Sequence, residues 1–108
     1  MKNYLICYYI LQQCLFESLE EDLGELLNII SPELWKNGKP SDEDVFKDWK
    51  SVIDTEKMTV EDMKKSLSEK LSGLGMELEK TMKIIDSEDF EYFISQAKER
   101  AEEYLSEF

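Results

Sequence analysis

Residues 22–49, DLGELLNIISPELWKNGKPSDEDVFKDW, contain both tryptophans, both prolines and two of the four glycines of the chain. The segment begins with an apolar helical pattern, passes through the dipeptide Asn37-Gly38, and ends in a helix that carries Phe46 and Trp49. The Asn-Gly dipeptide favours a tight turn because both residue types tolerate positive φ. The segment therefore predicts two helices that are joined by a polar turn.

The helix before this turn is predicted to start in an acidic segment. Ser18 precedes Glu21 by three residues, the spacing of a capping box, so we expect the helix to begin near Leu19. Its apolar stripe comprises Leu19, Leu23, Leu26, Leu27 and Ile30. Gly24 inside the helix costs about 1 kcal/mol relative to alanine, which a close packing contact would explain. The Ser-Pro dipeptide that follows the stripe ends or restarts the helix.

An apolar segment at the start of the chain predicts the central helix of the fold. Residues 4–11 are apolar without interruption, a composition that would also fit a strand. The apolar pattern continues at helical spacing as far as Leu19, so we expect a helix from about Asn3 to Ser18. Because its apolar residues surround nearly the whole circumference, this helix should be buried.

Further helices are predicted after the Asn37-Gly38 turn. Their expected N-caps are Ser41 or Asp42, Thr59 (with Asp62 at capping-box spacing) and Ser87. The apolar face of the first of them comprises Val45, Phe46, Trp49, Val52 and Ile53. Gly73 and Gly75 should interrupt or end the second. Residues 1–108 are therefore predicted to form one all-α domain, a compact bundle of about five helices.

The charge balance restricts the partners of the chain. It has 25 Asp and Glu against 13 Lys and Arg, which gives a net charge of -12. Such a field repels the phosphates of nucleic acids and of anionic membrane lipids, and it attracts basic surfaces. We therefore expect no nucleic-acid partner, no membrane partner, and a protein partner that is basic or is bound through a neutral patch.

The residue types argue against catalysis and metal binding. The chain has no histidine, which excludes Ser-His and Cys-His nucleophile pairs and the commonest nitrogen ligand of metals. Acidic residues are so numerous that a pair of them does not indicate acid–base catalysis. An EF-hand loop that starts at Asp42 would place Phe46 at a ligand position and Lys47 at the glycine position. We predict a protein that is not an enzyme and has no metal or cofactor.

Two cysteines and the N-terminal segment indicate the compartment. Cys7 and Cys14 on one helix would have Cα atoms about 10 Å apart, too far for a disulfide. Free thiols indicate a reducing environment. The eight apolar residues from Tyr4 are fewer than the roughly 18 of a membrane span, and glutamines precede Cys14 where a signal-cleavage site needs small residues. We predict a cytoplasmic protein.

Acidic clusters at residues 17–25 and 42–48 lie in the two helices that flank the turn. If these helices form a hairpin, their first turns and Trp35 would make one acidic face with an aromatic side chain beside it. Such a face suits a basic protein, because charge steers the encounter and the aromatic ring anchors the complex. The alternatives are an ordinary solvated surface and an indole of Trp35 that is folded under the loop.

The matching features of a family resemblance lie in the same segment: Asp22-Leu23-Gly24 before an apolar run, Gly38 in a polar turn, and Asp42 with residues 46–49, FKDW. In this pattern the chain resembles a family of small bacterial immunity proteins that are paired with contact-dependent growth-inhibition toxins. It departs from the family by carrying Phe46 where Trp is usual and Glu43 where Pro often follows. The resemblance implies a cytoplasmic protein that blocks one cognate toxin, and many such toxins are nucleases with basic clefts.

We therefore predict an immunity protein that neutralises a basic toxin by stoichiometric binding. A helical adaptor or regulatory subunit of a larger assembly is the alternative, and a histidine-free carboxylate enzyme is a third class. The predicted partner-binding residues are Glu20, Glu21, Asp22, Glu25, Trp35, Asp42, Asp44 and Asp48. Gly24, Phe46 and Trp49 are assigned to the structure of the segment.

Overall fold

Six α-helices make up the computed structural model, which describes all residues 1–108. In chain order they are α1 (Lys2–Ser18), α2 (Glu21–Ile30), α3 (Glu43–Trp49), α4 (Val60–Ser72), α5 (Glu79–Asp86) and α6 (Asp89–Ser106). A 3-10 turn at Pro32–Leu34 follows α2. The all-α class is confirmed. The helix number is six and not about five, because the apolar residues after Gly75 form a separate helix, α5.

Helix α1 is the central element, and α2, α3, α5 and α6 all pack against it. Its most extensive contact is with α6, which runs antiparallel to it, as the ion pair between Lys2 and Glu102 indicates. The Tyr4 hydroxyl donates a hydrogen bond to the carbonyl of Ile30, so the end of α2 lies beside the start of α1. The prediction of a buried first helix is confirmed.

The junction of α1 and α2 differs from the prediction. Leu19 ends α1 in the left-handed conformation, with φ of 56°, and its side chain is 78% exposed. The hydroxyl of Ser18 accepts the backbone N–H of Glu20, two residues on, so no capping box with Glu21 forms. Helix α2 consequently begins at Glu21, and the prediction that Leu19 belongs to its apolar stripe was wrong. The other four stripe residues are buried.

The first turn of α3 is capped as predicted, but the helix is short. Oδ1 of Asp42 accepts the backbone N–H groups of Asp44 and Val45, at 3.0 and 3.2 Å. The helix ends at Trp49, so the predicted helical face that included Val52 and Ile53 was wrong in its extent. Both residues are buried all the same, because the chain after α3 turns inward instead of continuing the helix.

The later helix boundaries follow the predicted signals. Thr59 and Asp62 form the capping box of α4, with bonds of 3.1 and 3.3 Å in the two directions. Gly75, at φ 68°, lies in the turn after α4. The hydroxyl of Ser87 accepts the backbone N–H of Asp89 at 3.3 Å, although the N-cap residue itself is Glu88.

The Asn37-Gly38 dipeptide forms the predicted tight turn. Both residues have positive φ, 55° and 68°, and the N–H of Lys39 bonds to the carbonyl of Lys36 at 3.1 Å. Gly38 is favoured by its positive φ, and a Cβ atom there would lie 2.8 Å from the ring of Phe108, so a larger residue would have to displace this exposed ring. At Gly24 a Cβ atom would meet only Leu15, at 4.0 Å, and the predicted close packing contact is absent.

One core holds the helices together. It contains 25 buried apolar residues in a single cluster, to which α3 contributes Trp49, α5 contributes Ile85 and each of the other four helices contributes three or more. Cys7 and Cys14 belong to this cluster, are buried, and have free thiols, as predicted. None of the helices has both the length and the apolar character that crossing a membrane requires.

Candidate functional site

Two of the predicted partner-binding carboxylates make contacts within the fold. Glu20 accepts three hydrogen bonds at the start of α5, from the backbone N–H of Lys80 (3.2 Å) and from the N–H and hydroxyl of Thr81 (both 2.6 Å). Asp22 accepts the backbone N–H of Glu77 at 2.7 Å. These bonds supply acceptors for donors that a helix start cannot satisfy itself. Both carboxylates therefore dock α5 onto the start of α2.

The contacts of Glu20 shift its acidity. Partial burial alone would raise the pKa of this carboxyl, but the hydrogen bonds from Thr81 and Lys80, with the nearby ammonium group of Lys80, outweigh it. The pKa of Glu20 is therefore lowered from its ordinary value of 4.5. A lowered pKa means that the folded state holds the ionised form more favourably than the unfolded chain does.

Four other predicted residues remain available to a partner. Glu21, Glu25, Asp44 and Asp48 are exposed, and their carboxylates make no hydrogen bond or ion pair within the chain. Each pair is spaced by four residues, on α2 and on α3, so its members lie on the same helix face. Asp42 is also exposed, but its carboxylate caps α3.

The predicted residues do not form one acidic face. Glu20 lies next to Ser18, at the end of α1, whereas Trp35 packs against Tyr4, near its start. The α-helix between Tyr4 and Ser18 is about 21 Å long at about 1.5 Å per residue. Helix α2 runs back along α1, so its first turn and Trp35 come to lie at opposite ends of the central helix.

Trp35 is half-buried and forms part of an aromatic cluster. Its ring centroid lies 5.1 Å from that of Tyr4, 6.3 Å from that of Phe46 and 6.4 Å from that of Tyr104. The contacts with Tyr4 and Phe46 place the indole under the loop, which is one of the two predicted alternatives. The edge-on contact with Tyr104, at an interplanar angle of 83°, brings the indole to the wall of a surface groove.

This groove, the aromatic groove, has a volume of about 380 Å³ and lies between the 3-10 turn and the last turns of α6. Its rings belong to Tyr9, Trp35, Tyr104 and Phe108. The ring centroids of Tyr104 and Phe108 are 5.1 Å apart, and the Tyr104 hydroxyl donates to the carbonyl of Pro32 at 3.2 Å. The Tyr104 ring is therefore held by contacts with both Pro32 and Phe108, while Phe108 itself remains 63% exposed.

Charged side chains surround the aromatic groove. The groove carboxylates are those of Glu33, Glu103 and Glu107, all of them exposed and none in an ion pair. The one cation is Arg100, the only arginine of the chain, whose guanidinium carbon lies 4.8 Å from the ring centroid of Tyr9. At neutral pH the groove thus has three negative charges and one positive charge.

The two tyrosines of the groove have perturbed acidities. Burial raises the pKa of Tyr9, while the neighbouring guanidinium of Arg100 opposes the rise. Burial also raises the pKa of Tyr104, and the carboxylate of Glu107 adds to the effect. Both phenols therefore stay neutral at physiological pH and offer uncharged rings to a ligand.

The chemistry of the other reactive groups is limited. Burial raises the pKa of Cys7 and of Cys14 to about 12, so neither thiol is a nucleophile at neutral pH. No three Cys, Asp or Glu side chains converge closely enough to hold a metal ion. The free carboxylates and the aromatic groove are the candidate surface features for binding another molecule.

Comparisons with protein-family models, curated proteins and solved structures found no match. The function is therefore proposed from the residues and geometry of this chain and from the resemblance in residues 22–49.

Sequence reasoning missed most of the aromatic groove. It singled out Trp35 but gave no binding role to Tyr104, Phe108 or Arg100. The aromatic pair Tyr104 and Phe108, four residues apart among glutamates, was the available signal: helical spacing would place both on one side, and the two rings do meet although α6 ends at Ser106. That the pair meets Trp35 could not be read from spacing.

Proposed function

We propose that this chain is a non-catalytic immunity protein, which neutralises a basic interbacterial toxin by stoichiometric binding. The observation that carries the proposal is the uncompensated acidic surface. The chain has 25 acidic residues, yet three ion pairs account for all of its internal charge pairing. The resulting field attracts a basic protein and accelerates its association.

Helix α3 is the part of this surface that best suits an interface. The carboxylates of Asp44 and Asp48 are exposed and unpaired, so binding a cation would break no contact within the fold. Phe46, on the same helix, lies 6.3 Å from Trp35, which joins α3 to the wall of the aromatic groove. Asp44 and Asp48, two residues to either side of Phe46, lie on the opposite, exposed face of α3, where they can form the polar rim of an interface.

The class of partner follows from the charge and from the family resemblance. A toxin that acts on nucleic acid needs a basic cleft for the phosphates of its substrate. An acidic protein of net charge -12 can occupy such a cleft in place of the substrate. A nuclease toxin is therefore the partner that fits the proposal best.

The proposal is tested by capture followed by a toxicity assay. The tagged chain is used to purify its partner from the source organism, and the gene of the captured protein is then expressed in a laboratory strain. We expect the captured protein alone to arrest growth, and co-expression of this chain to restore it. A captured protein that is harmless in this assay would contradict the proposal and favour the adaptor alternative.

Charge reversal on α3 tests the electrostatic part of the proposed toxin binding. The double variant Asp44→Lys with Asp48→Lys should slow association with the captured toxin, and the difference should shrink at high salt because exposed charges are screened. The matched control is Glu88→Lys with Glu91→Lys, which makes the same change of net charge at the start of α6, near the other end of α1. Association rates are measured by stopped-flow or surface plasmon resonance, and equal rates for both variants would refute a role for α3.

A further inference from the structure

We propose that the aromatic groove binds the guanidinium group of an arginine side chain that the basic partner presents. This inference rests on the proposed function and names the contact within it. The groove carboxylates, Glu33, Glu103 and Glu107, outnumber the single cation Arg100. Because none of the three is paired within the chain, the groove attracts a second cation.

The rings of the groove supply the second part of the recognition. A cation within about 6 Å of an aromatic centroid is attracted by the ring quadrupole, and indole is the strongest partner. Arg100 already makes this contact with Tyr9, at 4.8 Å. The rings of Trp35, Tyr104 and Phe108 have no such cation, since the only other cation–π pair of the chain joins Lys70 to Trp49.

The shape of the groove favours arginine over lysine. A guanidinium group is flat, stacks on aromatic rings, and donates two parallel hydrogen bonds to a carboxylate. An ammonium group is compact and strongly hydrated, so it loses more hydration between two rings. The volume of about 380 Å³ accommodates such a side chain together with a neighbouring part of the partner's backbone.

The inference is tested without the toxin, by NMR titration with a capped Gly-Gly-Arg-Gly-Gly peptide. We expect the peptide to shift the indole N–H signal of Trp35 and the amides of the last turns of α6. The indole of Trp49, which is only 5% exposed, serves as the internal reference. A peptide with citrulline in place of arginine keeps the shape and loses the charge, so it should give no saturable shift.

Substitutions within the groove give the matched comparison. Glu103→Gln with Glu107→Gln should weaken binding of the arginine peptide roughly tenfold, because two exposed ion pairs are lost. The control, Glu91→Gln with Glu99→Gln, makes the same charge change on exposed positions of α6 outside the groove, and should change the affinity less than about twofold. All of these substitutions are at exposed side chains without internal partners, so the fold should be retained.

The variant Arg100→Gln should change the affinity for the arginine peptide in the opposite direction. Removing the resident cation leaves the face of Tyr9 open and takes away a repulsive charge, so the arginine peptide should bind about two- to threefold more tightly. A merely structural effect on the groove would weaken binding. The same titration is used, with the citrulline peptide again as the reference.

Three results of the peptide titrations would overturn the inference: shifts spread over the acidic surface without preference for Trp35, equal affinities for the groove and control variants, or equal binding of the citrulline peptide. Failure of the proposed function is seen separately, because a harmless captured partner contradicts the immunity role and leaves the peptide result untouched. The titration is also repeated with the captured toxin bound. If the arginine peptide still binds the groove of the complex, the groove recognises arginine but is not part of the toxin interface, and the inference is rejected.

Discussion

Replacing Glu20 by alanine should destabilise the fold, although this carboxylate was predicted from the sequence to serve a partner. The variant removes the acceptor for three hydrogen bonds, at 3.2, 2.6 and 2.6 Å, from Lys80 and Thr81. Lys80 is exposed, so water can replace its bond, whereas Thr81 is fully buried and its backbone N–H loses its partner. The buried donor makes the expected loss larger than that for an exposed helix cap.

The magnitude follows from two typical costs. Loss of a helix cap costs about 0.5–2 kcal/mol, and a buried donor without an acceptor costs about 1–3 kcal/mol. The hydroxyl of Thr81 keeps one partner, Ser18, at 3.3 Å, which limits the loss. We expect Glu20→Ala to lower the free energy of unfolding by about 2 kcal/mol, which corresponds to a fall in Tm of about 10 °C for a domain of this size.

The destabilisation caused by Glu20→Ala should decrease as the pH falls. Because the pKa of Glu20 is lower in the folded protein than its ordinary 4.5, its contribution is fully present above pH 4.5 and is lost as the pH falls through the folded value. Urea unfolding of the wild type and the variant should therefore differ most at pH 7 and converge as the solution is acidified towards the folded pKa.

The matched control is Glu21→Ala, which removes the next carboxylate, one that is exposed and has no partner in the fold. It should change the free energy of unfolding by only a few tenths of a kcal/mol, through the dipole of α2. Equal losses for Glu20→Ala and Glu21→Ala, or a Glu20 effect that does not vary with pH, would refute the reasoning.

Two further predictions concern glycines and thiols. Gly38→Ala and Gly75→Ala should each lower the free energy of unfolding by about 1–2 kcal/mol, because both positions have φ of 68°. Only Gly38→Ala should also displace the ring of Phe108, which would change the NMR shifts of its ring protons. At pH 8 the thiols of Cys7 and Cys14 should not react with Ellman's reagent in the native protein. Both should react in a concentration of urea that unfolds the protein. Rapid reaction of either thiol in the native state would show that it is not buried.

Local signals in the sequence were sufficient for most helix boundaries. Ser41 or Asp42 was predicted to cap α3 and Thr59 to cap α4, and Asp42 and Thr59 make the expected hydrogen bonds. Such bonds join residues two or three apart, so the sequence contains the whole interaction. Ser18 failed as a capping-box residue because its hydroxyl accepts the nearer N–H of Glu20, and Leu19 closes α1 instead of opening α2.

Contacts between distant residues could not be predicted in the same way. The hydroxyl of Tyr104 bonds to the carbonyl of Pro32, 72 residues away, and the contact that brings Trp35 to the groove depends on the same packing. Glu20 and Thr81 are 61 residues apart. In both cases the residue type indicated what the side chain could do, and only the antiparallel packing on α1 determined which partner it met.

The acidic residues near the two ends of α1 therefore have different roles. Near the C-terminal end of α1, carboxylates such as Glu20 and Asp22 accept backbone N–H groups at the start of α5 and in the segment before it. Removing these carboxylates should mainly lower the stability of the fold. Near the start of α1, α3 and the aromatic groove carry carboxylates with no internal ion pair, so removing those should leave stability nearly unchanged. An excess of negative charge does not by itself identify an interface, since part of it belongs to helix caps. What separates the two groups is whether each carboxylate already has a donor within the fold, and substitutions that change binding and stability independently would establish that division.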